Sequence, residues 1–281
     1  MLLIILMINS EKSIDFHIVS GYPWSMAAVT KSNANAKPRR PRKRHVQQLL
    51  FRHGGKRKGA GRKPKGLRAG ARHDSRPEID RASVLHVVLR VTPEVGSLRR
   101  PALYRALRDA SVTAAMRERI RIVHISVQRT HVHMLVEADD KAKLGRGMQG
   151  FQISAARNIN TALGDKYGRR RGKVFVDRYH LVVITSPTQA RNVLSYVLNN
   201  WRKHAEDRHA PRTRMVDPFS TGWSFGGWQE LADEPFLWKP QAGYEPMIVY
   251  QPRAWMLREG WMRAAGGAAI SARAVPSRRP S

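Results

Sequence analysis

The chain has 281 residues, with 51 Lys or Arg against 21 Asp or Glu, a formal net charge of +30 and no cysteine. The lack of cysteine excludes a disulfide framework, a thiolate metal site and a cysteine nucleophile, so any metal must be held by imidazole, carboxylate or amide groups. A hydrophobic content of 42% is enough to bury a core, while so large a positive excess repels itself unless a polyanion offsets it, which points to nucleic acid rather than to a membrane surface.

Residues 1–8 are apolar but far short of the roughly 20 residues that a membrane span needs. No positive region precedes them, as one would in a signal peptide; the expected location is the cytoplasm, with no membrane partner. Residues 1–30 are assigned to no domain. Residues 31–73 hold 16 Lys or Arg and no Asp or Glu. They are rich in Gly, Pro and Ala and poor in large apolar side chains, so residues 31–81 are expected to form a disordered, DNA-binding basic arm.

Residues 84–91 are β-branched and apolar up to Thr92-Pro93 and read as a buried strand. Pro101 can open a helix, and Leu103, Leu107 and Ala110 follow at helical spacing to about residue 116. Residues 122–128 and 131–137 read as two strands of a hairpin across Arg129-Thr130. Leu144, Met148, Phe151, Ala155, Ile159 and Leu163 mark a second helix. An Arg-rich turn follows, then one or two strands in residues 174–184, and Pro187 opens a last helix to about residue 204. This order predicts an α+β fold, a ferredoxin-like antiparallel sheet with helices on one side. Residues 82–208 form the expected catalytic domain, and residues 209–281 a tail with five of the seven Trp.

Alternating strand parity puts His131 and His133 on one face with Val132 behind them, so both imidazoles can reach a single ion. Two surface histidines would have the same pattern. Tyr196 and Asn200 are four residues apart and share a helix face; an ordinary buried Tyr with a hydrogen-bonded hydroxyl fits that position as well. Tyr179 is the rival candidate for a nucleophile, but it falls on a predicted strand. His124, His180 and His204 are read as structural or phosphate-facing. Lys166, Arg169, Arg170, Arg171, Lys173 and Arg178 are expected to grip a nucleic-acid backbone. Trp223, Trp228, Trp238, Trp255 and Trp261 either cement the tail or stack unpaired bases.

Several segments then stand in a telling order: residues 122–137 with His131-Val132-His133, then Gly147-Met148-Gln149-Gly150-Phe151, then Val174-Phe175-Val176-Asp177-Arg178-Tyr179-His180, then Tyr196-Val197-Leu198-Asn199-Asn200-Trp201-Arg202-Lys203. Together they resemble the single-tyrosine HUH transposases, and within them the REP-associated tyrosine transposases, over about residues 84–208. The resemblance implies that His131 and His133 are metal ligands for Mg or Mn, that Tyr196 is the nucleophile and that Asn200 supplies an amide as third ligand. Many relatives have Asn-Pro-Val after the tyrosine helix where Asn200-Trp201-Arg202 stands here, which leaves Asn199 as an alternative. The family also implies a homodimer that cuts and rejoins single-stranded or hairpin-flanked DNA through a 5′-phosphotyrosine. A DNA- or RNA-hairpin-binding protein that keeps the scaffold without the activity is the competing reading. Within the arm, residues 55–64 (Gly-Lys-Arg-Lys-Gly-Ala-Gly-Arg-Lys-Pro) resemble an AT-hook, in which Arg57, Arg62 and Lys63 would meet the negative potential of a narrow minor groove. A generic basic linker that binds phosphates without preference would read similarly.

Overall fold

The computed structural model describes residues 75–164, 168–233, 242–264 and 266–276. Four strands, β1 (Val84–Arg90), β2 (Arg121–Val127), β3 (His131–Glu137) and β4 (His180–Ile184), form one antiparallel sheet in the order β2-β3-β1-β4. Helices α1 (Pro101–Met116) and α2 (Lys141–Ala162) connect β1 to β2 and β3 to β4, which completes the ferredoxin-like α+β arrangement. Pro101 opens α1, and the Asp140 carboxylate caps α2 by accepting from the Lys143 amide at 2.7 Å.

The strands bury one face against α1 and α2. Leu85, Val87 and Leu89 of β1 and Val132, Met134 and Val136 of β3 pack there with Leu103, Leu107, Met148 and Phe151. A bulge in β2 between Ile122 and His124 lets Ile122, Ile125 and Val127 join that core, although their spacing is not strictly alternate.

The expectation of helices on one side only is corrected. Helix α3 (Pro187–Leu198) packs on the opposite face, where Val193, Leu194 and Val197 meet Val84, Val123 and Leu135 of the sheet. Periodicity shows that a helix has an apolar stripe but not which face of the sheet receives it. The last helix is also shorter than expected. It is capped by the Ser186 hydroxyl and ends at Leu198; Asn199 leaves helical geometry, and a turn, α4 (Asn200–Lys203), follows. Of residues 174–184 only β4 is a strand, while Phe175 makes an isolated bridge to Val91.

The C-terminal residues complete this second face. Met215, Val216, Phe225, Trp228, Leu257 and Trp261 are buried against α3. Two carboxylates without solvent exposure tie them down: Asp217 takes both guanidinium nitrogens of Arg99 at 2.8 Å, and Glu137 accepts from the Arg253 and Ala254 amides at 2.9 and 2.8 Å. The same segment pairs with the outer edge of β2 through the Phe219 carbonyl and the Thr221 and Tyr250 amides. None of the helices in the described residues is long and apolar enough to cross a membrane.

Candidate active site

Residues of even number on β1 and odd number on β3 face α3, so sheet parity brings His86, His131 and His133 to the same side. They line a cleft of about 310 Å³ together with His180 of β4, Tyr196 of α3, His204 and residues 176–178. The Tyr196 ring, 3% exposed, stands edge-on to His133 with ring centres 5.3 Å apart and to His86 at 6.1 Å. The Lys203 ammonium lies 5.0 Å from the centre of the same ring, where its charge meets the π-face. Val132 is fully buried on the other side of the sheet, as the pleat requires.

The histidines form a connected group. The His131 ring is edge-on to His133 at 4.7 Å and to His204 at 5.2 Å. His86 lies nearly parallel to His133, 13° between planes, and its Nε2 is 3.1 Å from His133 Nδ1. Burial, with a smaller contribution from His180, draws His86 down to about 4, so it is neutral at physiological pH. Sequence reasoning missed His86 entirely and left His180 and His204 outside the site. The signal available was parity: His86 and Val88 alternate with the core residues Leu85, Val87 and Leu89.

The remaining candidate residues fall as follows. Asn200 is fully buried between Tyr196 and His204 along the chain, does not line the cleft, and has both amide atoms without a hydrogen bond among the described residues. Asn199 donates to the Ser271 carbonyl at 3.0 Å and so holds the C-terminal segment. Tyr179 packs into the core on the α1–α2 side under the Arg76 guanidinium, away from the histidines. Arg178 is exposed and lines the cleft, whereas Arg169, Arg170, Arg171 and Lys173 do not; Arg170 is tied to the Asn160 side chain at 2.8 Å. Trp228 and Trp261 are buried in the second core and Trp255 is 43% exposed. Arg57, Arg62, Lys63, Lys166 and Trp238 lie outside the described residues.

Among the described residues no group of three His, Asp or Glu is arranged to hold a metal ion. What could serve that role is the His131–His133 pair, with the amide of Asn200, four residues after Tyr196, buried and without a hydrogen bond among the described residues. Two imidazoles and an amide oxygen suit Mn, and suit Mg when water completes the shell.

The ferredoxin-like sheet thus presents histidines from adjacent strands to one helix-borne tyrosine. Residues 82–200 match the family model of IS200-like transposases, and this domain belongs to that family. Among solved structures, a REP-associated tyrosine transposase bound to a REP hairpin is similar at 16% identity and a TM-score of 0.44, covering 63% of this chain and 99% of that one. A chain from Deinococcus radiodurans R1 described as a candidate transposase is similar at 16% identity and a TM-score of 0.31, covering 51% of this chain and 100% of that one. No curated protein matches this chain.

Proposed function

We propose that the protein cuts and rejoins one DNA strand at a time, with Tyr196 as nucleophile and a divalent metal, Mg or Mn, held by His131 and His133 with the Asn200 amide as third ligand. The observation that carries this reading is the placement of Tyr196 edge-on to His133 in one histidine-lined cleft. A bound divalent ion would neutralise and polarise the phosphate. The Tyr196 oxygen attacks phosphorus, a tyrosine–phosphate ester forms on the 5′ side, and the bond to the 3′ oxygen breaks. The phenolic proton passes to a base in the cleft, and a proton is taken up by the departing 3′ oxygen, which leaves as a hydroxyl. The ester preserves the bond energy, so the reverse attack by a 3′ hydroxyl rejoins strands without ATP. Arg178 and Lys203 supply positive charge beside the cleft for the phosphate backbone.

One tyrosine per chain handles one strand, so exchange of two strands requires a homodimer, which sedimentation of the DNA complex would reveal. The substrate class is single-stranded or hairpin-flanked DNA, since the cleft must admit one unpaired backbone. Incubation of 5′- and 3′-labelled hairpin DNA with Mn²⁺ should give a covalent adduct on the 5′ end, stable in denaturing gels and absent with Tyr196→Phe. An adduct undiminished in that variant ends the proposal. Tight binding without any adduct favours the idle hairpin-binding protein.

A further inference from the structure

We propose that His86 is a positioning residue that fixes the ring orientation and tautomer of His133 for metal ligation, an inference that rests on the metal-site reading above. β1 lies beside β3 with Val88 opposite His133 and His86 opposite Leu135, so His86 is the diagonal neighbour of His133 on the cleft face. Its Nε2 is 3.1 Å from His133 Nδ1, and the two rings are 13° from parallel with centres 5.3 Å apart. Both residues are buried, so water does not compete for this bond.

A nitrogen-to-nitrogen hydrogen bond holds one proton. For His133 to offer the Nε2 lone pair to an ion, its proton must sit on Nδ1, and that proton needs an acceptor. His86 Nε2 is in place to accept it, in the position where a carboxylate or a backbone carbonyl stands behind most metal-bound histidines. His86 then carries its own proton on Nδ1. That atom makes no hydrogen bond among the described residues, so nothing else locks His86 into the opposite tautomer. His131 repeats the arrangement, with Nδ1 3.2 Å from the Thr130 hydroxyl. Ligation at both imidazoles through Nε2 is therefore supported from behind, once by a hydroxyl and once by an imidazole.

Two variants of the full chain separate this role from simple packing. His86→Phe keeps the ring against His133 but removes the acceptor; His86→Gln restores an acceptor oxygen. The readout is Mn²⁺ affinity by titration calorimetry and electron paramagnetic resonance, with melting measured in chelator to follow folding independently. His86→Phe should weaken Mn²⁺ binding by about 10- to 100-fold while His86→Gln stays within about threefold of the parent, the range typical of outer ligand support. Unchanged affinity in His86→Phe, or equal loss in both variants, overturns the inference. A parent chain that takes up no Mn²⁺ overturns both the metal-site reading and the inference built on it.

Discussion

His124 is the residue through which acid reaches the fold. Its Nδ1 is 3.1 Å from the Thr221 hydroxyl, Phe225 stands edge-on to its ring, and burial draws it down to about 4. The folded state therefore binds this proton more weakly than the unfolded chain, whose ordinary value is 6.5. Stability from this group is complete above pH 6.5 and is lost as pH falls toward 4, because protonation favours the unfolded chain. Urea unfolding at pH 7.5 and 4.5 should show the parent weakened by acid, and His124→Gln should lessen the difference by roughly 3 kcal/mol or less, since His86 contributes in the same sense. An equal acid effect in both proteins would remove His124 as a cause. The site itself was partly legible at this scale. The parity of His131 and His133 and the helical position of Tyr196 could be read directly. Tyr179, expected on a strand, instead lies just before β4 and is kept from the histidines by packing into the α1–α2 core. His86 was hidden because its neighbour in the cleft comes from a strand 47 residues on, and strand pairing is not written in local periodicity.

Helices and strands were the most legible elements, since their apolar spacing is local: α1 begins at Pro101 and β3 runs from His131 to Glu137, as the pattern requires. The faces they choose depend on contacts far along the chain, which is why the placement of α3 and the break at Asn199 could not be read. Gly147 shows how such a contact constrains an element. A Cβ there would lie 2.4 Å from Cγ2 of Ile120, so the glycine allows Ile120, the residue before β2, to close on α2. Gly147→Ala gains about 1 kcal/mol of helix propensity but overpacks a filled core, at a cost of about 1–3 kcal/mol. The β-branched Ile120 has little room to turn aside, so net destabilisation is expected, visible as a lower urea midpoint with an unchanged slope. Since Cγ2 and Cγ1 of Ile120 are the nearest atoms, Ile120→Ala should cost less in the Gly147→Ala background than in the parent; a Gly147→Ala midpoint at or above the parent value would show that the contact relaxes freely.

The whole molecule depends on its C-terminal segment more than composition suggested. With α1 and α2 on one face and α3 with Met215, Phe225, Trp228, Leu257 and Trp261 on the other, the sheet is buried on both sides, and the β2 edge is paired. Asp217→Ala should therefore act far beyond a surface ion pair. It leaves Arg99, 11% exposed, with only the longer ion pair to Glu206 at 3.7 Å in place of the bidentate one, a loss of about 3 kcal/mol that urea unfolding would measure. Charge raises the other question at this scale, because the 16 basic residues of positions 31–73 lie outside the described residues. If Arg57, Arg62 and Lys63 each meet a phosphate, replacing all three with Ala removes three counterion-release sites. The slope of log affinity against log salt should then become shallower by about 2.7 on duplex DNA and about 2.1 on single strands. The ratio of those changes reports which form the arm grips, while Tyr196→Phe should leave both slopes as they are. A triple variant with the parent slope on both forms would show that these cations do not contact DNA, and the affinity would then rest on Arg178, Lys203 and the rest of the folded domain.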